Sequence, residues 1–225
     1  YSSLKVSDSG KSGLIGRATI PIVALRTIQN GLQIEYKGVV MYADIELNEG
    51  NGRILIGTVP KIGIDIQTSV RTAVRVAESL TGISFSKTDV LLTIRASQDV
   101  DVVDGQSAGA AITVALVAAL TEHSLNEGVY ITGTINDDLA VGAVGGIPYK
   151  ALAAAENGSK RFIVPRGQSV VVVYEPKVRE LSPGKTITTY ERKVVGLDEY
   201  LAEKGYSVIV EDVETIEEAL YKFFT

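Results

Sequence analysis

The spacing of apolar positions changes several times along this chain, and each change marks an element. From Gly13 onwards, residues 14–25, 32–36 and 39–47 read as strands, separated by the turn signals Asn30-Gly31 and 48–52, with a further short run at 53–59. That pattern predicts an antiparallel β-meander in the first quarter. A helical period follows, in which Val70, Ala73, Val74 and Ala77 share one face and Arg71, Arg75 and Glu78 the other. Thr68 or Ser69 is the expected N-cap and Gly82 the terminator. Residues 90–96 read as a buried strand. Residues 107–122 are apolar on nearly all sides, the pattern of a helix enclosed by protein.

The second half is predicted as a hairpin of residues 129–135 and 139–144 around Asn136-Asp137-Asp138, then a break at 145–148. A helix runs from Tyr149 until Asn157-Gly158 ends it. Strands at 161–165 and 169–174 precede an irregular excursion over 176–189, and the tail reads as helix 197–204, strand 206–210 and helix 215–224. Strands and helices interleave without strict βαβ repetition, which predicts an α+β fold with mixed sheets and packed helices. With no repeat or linker-like stretch, one domain over residues 1–225 is expected, with a divergent extension around 168–192.

Composition narrows the function classes. A chain of 225 residues with 45% hydrophobic content builds a core without metal or disulfide staples. The net charge of −5 argues against a nucleic-acid partner. Cysteine is absent, which excludes thiolate catalysis, disulfides and Cys-ligated metals. No apolar run reaches the roughly 20 residues of a membrane span. Beginning at Tyr1, the chain is expected to be an excised or processed fragment, soluble, and either cytoplasmic or part of a membrane-associated parent.

The chemistry centres on Asp104-Gly105-Gln106-Ser107-Ala108-Gly109, where a strand-like run turns into the apolar helix. A serine there lies beside the helix's first N–H groups, which lack intrahelical acceptors and carry partial positive charge. Those of Gly105, Ser107 and Ala108 are candidate oxyanion donors. The lone histidine, His123, is sixteen residues on, about 24 Å along a continuous helix, so it cannot serve as this serine's base. Lys150 is the alternative, since it is the only charged residue between Asp138 and Glu156 and desolvation favours a neutral amine. Residue chemistry alone leaves plainer roles open, with Ser107 an ordinary helix-start serine and Lys150 a solvated lysine. Neither the loop acids Asp99, Asp101 and Asp104 nor the pair Asp137-Asp138 follows EF-hand spacing, and Gly142, Gly145 and Gly146 do not form a dinucleotide fingerprint.

The linked motifs are more specific than either residue. The 104–109 stretch resembles the D-G-x-S-A-G nucleophile motif of Lon protease proteolytic domains, the serine–lysine peptidases. Thr132-Gly133 stands 25 residues after Ser107, and Gly145-Gly146-Ile147-Pro148-Tyr149-Lys150 resembles the family's G-G-[LI]-x-x-K segment, with Lys150 43 residues after Ser107. The resemblance implies the compact Lon proteolytic fold, with Ser107 as nucleophile, Lys150 as general base, Thr132 orienting the lysine and Asp104 as a nearby polar partner. It also implies no cofactor or metal, unfolded protein or peptide substrates, a ring-like homo-oligomer, and either a stand-alone archaeal-type enzyme or a separate ATPase or membrane-anchored parent. A non-catalytic Lon-like binding or assembly module is the alternative. Two departures stand out: residues 96–101 lack the family's P-E-G stretch, and Gln106 replaces the usual proline. Gly10-Lys11-Ser12 is not a Walker A motif, because Lys5 occupies the place of its leading glycine.

Overall fold

The computed structural model describes residues 13–30, 33–59, 65–96 and 105–224. Strands β1 (Leu14–Asn30) and β2 (Gln33–Glu49) form one long antiparallel hairpin, in register from Gly16↔Leu47 to Asn30↔Gln33. The expected meander stops there. β3 (Ile54–Thr58) does not pair with β2; β4 (Thr88–Ala96) takes that place antiparallel to β2, and β3 lies parallel to β4 at the far edge, giving the order β1-β2-β4-β3. Burial explains the exchange. Val90, Leu92 and Ile94 of β4 are fully buried, which suits an inner strand, whereas β3 is half exposed. Helix α1 (Asp65–Thr81) supplies the crossover that a parallel pair requires.

α1 begins at Asp65, so Thr68 and Ser69 lie inside the helix rather than capping it. Gly82, at φ +69°, closes it as expected, its N–H donating to Glu78 O at 2.8 Å. A 3-10 turn, Gln106–Ala108, leads into α2 (Gly109–Thr121), whose residues from Gly109 to Ala119 are all buried.

The predicted strand 129–135 is broken at Thr132-Gly133. Its first part, β5 (Val129–Ile131), joins a parallel sheet, while β6 (Thr134–Ile135) forms the hairpin with β7 (Val141–Gly142). α3 (Ile147–Glu156) crosses over to β8 (Arg161–Pro165). The irregular excursion is instead an ordered arm, in which β9 (Val170–Ser182) and β10 (Lys185–Gly196) pair antiparallel around Pro183-Gly184. Pro176 is tolerated in β9 because a two-stranded sheet leaves each strand an edge. After α4 (Leu197–Glu203), β11 (Ile209–Val213) falls a few residues later than predicted and completes the parallel order β11-β8-β5 before α5 (Ile216–Phe224). The fold is α+β.

The two faces of the β1–β2 hairpin serve two cores. Ile20, Ile22, Met41, Ala43 and Ile45 pack beneath α1, α2 and α5. The cross-strand pair Val23↔Val40 faces the other way, into a core built from α3, α4, β8 and the root of the arm. α3 lies close to the hairpin because residue 38 is glycine: a Cβ there would stand 2.0 Å from Tyr149 O.

Candidate active site

Ser107 is 1% exposed and sits in the 3-10 turn, one residue before the N-cap of α2. Backbone bonds lash this turn to the Thr132-Gly133 break. Gly133 N–H donates to Ser107 O at 3.0 Å, and Ala110 N–H donates to Gly133 O at 3.1 Å. The close packing needs small residues, since a Cβ on Gly109 would stand 2.9 Å from Ile135 Cγ2 and 3.0 Å from its nitrogen. Thr132 is fully buried at the carboxyl end of β5; its N–H extends the parallel pairing to Ile163 O at 3.1 Å, and its hydroxyl donates to Ser107 O at 3.5 Å. Thr132 and Ser107 are therefore brought together, through the serine's carbonyl.

From the opposite side α1 holds the preceding peptide. Ser69, 7% exposed, donates its hydroxyl to Gln106 O at 3.3 Å, and Gly109 N–H donates to the same carbonyl. Gly105 and Ala108 are buried on either side of the exposed Gln106. Asp104, like Asp99 and Asp101, lies outside the described residues. Beside Gln106 a depression of about 250 Å³ opens between Thr68, Ser69 and Thr72 of α1 and residues 134–137. The Arg75 guanidinium ties these walls together through Asp137, at 2.8 and 3.1 Å, and holds that carboxyl below its ordinary range.

Lys150 is fully buried in the first turn of α3, among the largest enclosed side chains of the protein. Its N–H donates to Gly146 O at 3.1 Å, and Gly146 takes the left-handed conformation, φ +68°, that starts the helix. The segment before α3 is held by Gln168, whose amide accepts Val144 N–H at 2.9 Å and donates to Val144 O at 2.8 Å. Both α3 and the Ser107 turn pack against β1.

His123, Tyr130 and Asp138 make contacts of their own. His123 lies beyond the far end of α2, exposed, its Nδ1 2.8 Å from Thr121 Oγ1 and its ring 5.1 Å from that of Phe224. Burial pushes the Tyr130 hydroxyl up to about 12, and it donates to Asn157 O at 3.1 Å. Asp138 accepts Ala140 N–H at 3.1 Å and shapes the β6–β7 turn.

Ser69 and Gln168 were not predicted as site residues. Ser69 carried one signal, a small polar residue on the apolar stripe of α1 with Ala73 and Val76. Gln168 carried none, since a side chain that mimics a strand leaves no spacing to read.

Residues 28–179 match the family model described as the Lon protease (S16) C-terminal proteolytic domain. The chain is 32% identical over 136 residues to the Lon protease of Elusimicrobium minutum, covering 59% of this chain and 16% of that protein. It is 35% identical over 105 residues to the archaeal Lon protease of Methanocaldococcus jannaschii, covering 47% and 16%, and 29% identical over 181 residues to the Lon protease of Fervidobacterium nodosum, covering 79% and 21%. The matched region is thus 16–21% of these relatives' length.

Proposed function

Because this chain belongs to the family of Lon protease (S16) C-terminal proteolytic domains, we propose that it is an endopeptidase working through Ser107 and Lys150 as a serine–lysine dyad. The observation that carries this is Lys150 itself: a lysine at the family's position, fully enclosed by protein, where loss of water favours the uncharged amine that a base must be. Ser107 Oγ attacks the scissile carbonyl as its proton passes to Lys150 Nζ. The C–N bond breaks, the leaving amine takes that proton, and water then releases the acyl group from Ser107 under the same lysine. N–H groups of Gly105, Ser107 and Ala108 at the start of α2 are the proposed oxyanion donors. Thr132 orients the dyad, and Asp104 is its proposed polar neighbour. Substrates are unfolded proteins or peptides, cleaved without ATP by this single proteolytic unit.

Cleavage of a fluorogenic peptide and of an unfolded protein without ATP tests this. Ser107→Ala and Lys150→Ala should each lower kcat by roughly a thousandfold or more, and the wild-type rate should climb with pH as the lysine loses its proton. Equal turnover by all three proteins removes the dyad. No turnover by the wild type favours a protein-binding module.

A further inference from the structure

Ser69 is a buried hydroxyl in the second turn of α1, 7% exposed, beside Val70, Ala73 and Val76. Serine favours a helix less than alanine does, and a buried hydroxyl is costly unless it is bonded. Inside a helix such a hydroxyl often bonds the carbonyl one turn back, as Thr81 bonds Ala77 O and Thr113 bonds Gly109 O. Ser69 instead donates across 37 residues of sequence to Gln106 O, at 3.3 Å.

That carbonyl is gripped by two donors, the Ser69 hydroxyl and the Gly109 N–H. In a regular α-turn Ala110 N–H would take the second place; here it donates to Gly133 O at 3.1 Å, and Ser69 takes that place. A trans peptide is planar, with its C=O and N–H pointing in opposite directions. Holding Gln106 O towards α1 therefore fixes the direction of Ser107 N–H, one of the proposed oxyanion donors. The next peptide is fixed in the same manner. The Thr132 hydroxyl and Gly133 N–H both donate to Ser107 O, which sets Ala108 N–H. The side chain of Gln106 is exposed, and the grip uses only its carbonyl, which the family's proline also offers.

We infer that Ser69 is a positioning residue of the active site: from α1 it locks the 106–107 peptide so that Ser107 N–H is aimed at the oxygen on which charge develops. The inference rests on Ser107 as the nucleophile. Without the hydroxyl, one donor is left on Gln106 O and the peptide can rock about it. The loss falls on the transition state, where the oxyanion forms, and not on binding of the uncharged substrate.

Kinetics on a fluorogenic peptide, with a peptide aldehyde and a peptide alcohol of the same sequence as ligands, test this. The aldehyde adds to Ser107 Oγ: the O–C bond forms, the C=O π pair moves onto the oxygen that the oxyanion donors hold, and the serine proton passes to Lys150. Ser69→Ala should lower kcat by about tenfold to a hundredfold with KM unchanged, and aldehyde affinity should fall by the same factor. The alcohol, which forms no oxyanion, should bind wild type and variant equally. Ser69→Thr keeps the hydroxyl and should recover most of the rate, and both variants should keep the wild-type circular dichroism. Wild-type kcat and aldehyde affinity in Ser69→Ala, equal weakening of aldehyde and alcohol, or equal loss in Ser69→Thr and Ser69→Ala each overturn the role of Ser69 and leave the dyad standing. A wild-type protein that neither cleaves the peptide nor prefers the aldehyde to the alcohol overturns the dyad, and this role with it.

Discussion

Asp89, the second residue of β4, is 7% exposed and is held by one arginine and two backbone donors. The Arg53 guanidinium reaches it at 2.5 and 2.8 Å, and the N–H groups of Asn51 and Arg53 donate at 2.8 and 2.9 Å. Arg53 first, then these backbone donors, lower its carboxyl from 3.8 to about 2. The folded value lies below the unfolded one, so this stabilisation is fully present above about pH 4 and is lost as pH falls towards 2. Asp89→Asn should therefore melt lower than wild type at neutral pH and show a flatter loss of stability between pH 4 and 2 in acid titrations followed by circular dichroism. Equal acid profiles would remove Asp89 from the account. Thr132→Val keeps shape and burial but deletes the hydroxyl beside Ser107 O. If Thr132 positions the dyad, kcat should fall about tenfold to a hundredfold with KM little changed; a change in KM alone would mark it as a substrate contact. Ser107, Thr132 and Lys150 could be proposed from the sequence because their spacing recurs in a family, and of these the structure joins Thr132 to the Ser107 carbonyl. The carbonyl-holding hydroxyl of Ser69 could not, because a bond to backbone leaves no partner residue in the sequence to pair with it.

At the scale of elements, residue spacing revealed what most segments are and missed which neighbours they take. α1, α3 and the buried β4 were legible from period and punctuation. The meander failed because the residues of β3 fit either an antiparallel neighbour of β2 or a parallel neighbour of β4, and only the deeper burial of β4 decides between them. The arm was missed because charged residues interrupt its alternation, yet Pro183-Gly184 between β-branched runs was a turn signal in plain view. Gly38 illustrates the other kind of information, a contact between elements far apart in sequence. Its missing Cβ lets α3 lie on β2, where a methyl group would meet the Tyr149 carbonyl at 2.0 Å. Gly38→Ala should destabilise the protein by about 1–3 kcal/mol in urea denaturation. Because the displaced turn carries Lys150, peptidase activity should fall further than the unfolded fraction explains. Wild-type stability and activity in this variant would mean that α3 shifts freely without disturbing the site.

Across the whole molecule, β1 is the element that makes two cores behave as one. Ile22 and Val23 are neighbours in sequence, each 2% exposed, but they point to opposite faces. Ile22 enters the core that seats α2 and the Ser107 turn, whereas Val23 enters the core that seats α3 and Lys150. A strand cannot leave one core and stay in the other without breaking its pairing with β2, which runs in register from residue 16 to residue 30. Serine and lysine should therefore be held or lost together. Ile22→Ala should cost about 2–5 kcal/mol and Val23→Ala about 1–3 kcal/mol. In native-state hydrogen exchange either variant should lower the protection of the slowest α2 and α3 amides by the same amount, because both open only when the hairpin does. Arm amides beyond Pro176, outside both cores, should exchange quickly in the monomer and keep their rates in either variant. If Val23→Ala instead released α3 while α2 kept its protection, the two halves would be separate cooperative units. The elements that carry Ser107 and Lys150 could then separate without unfolding the protein.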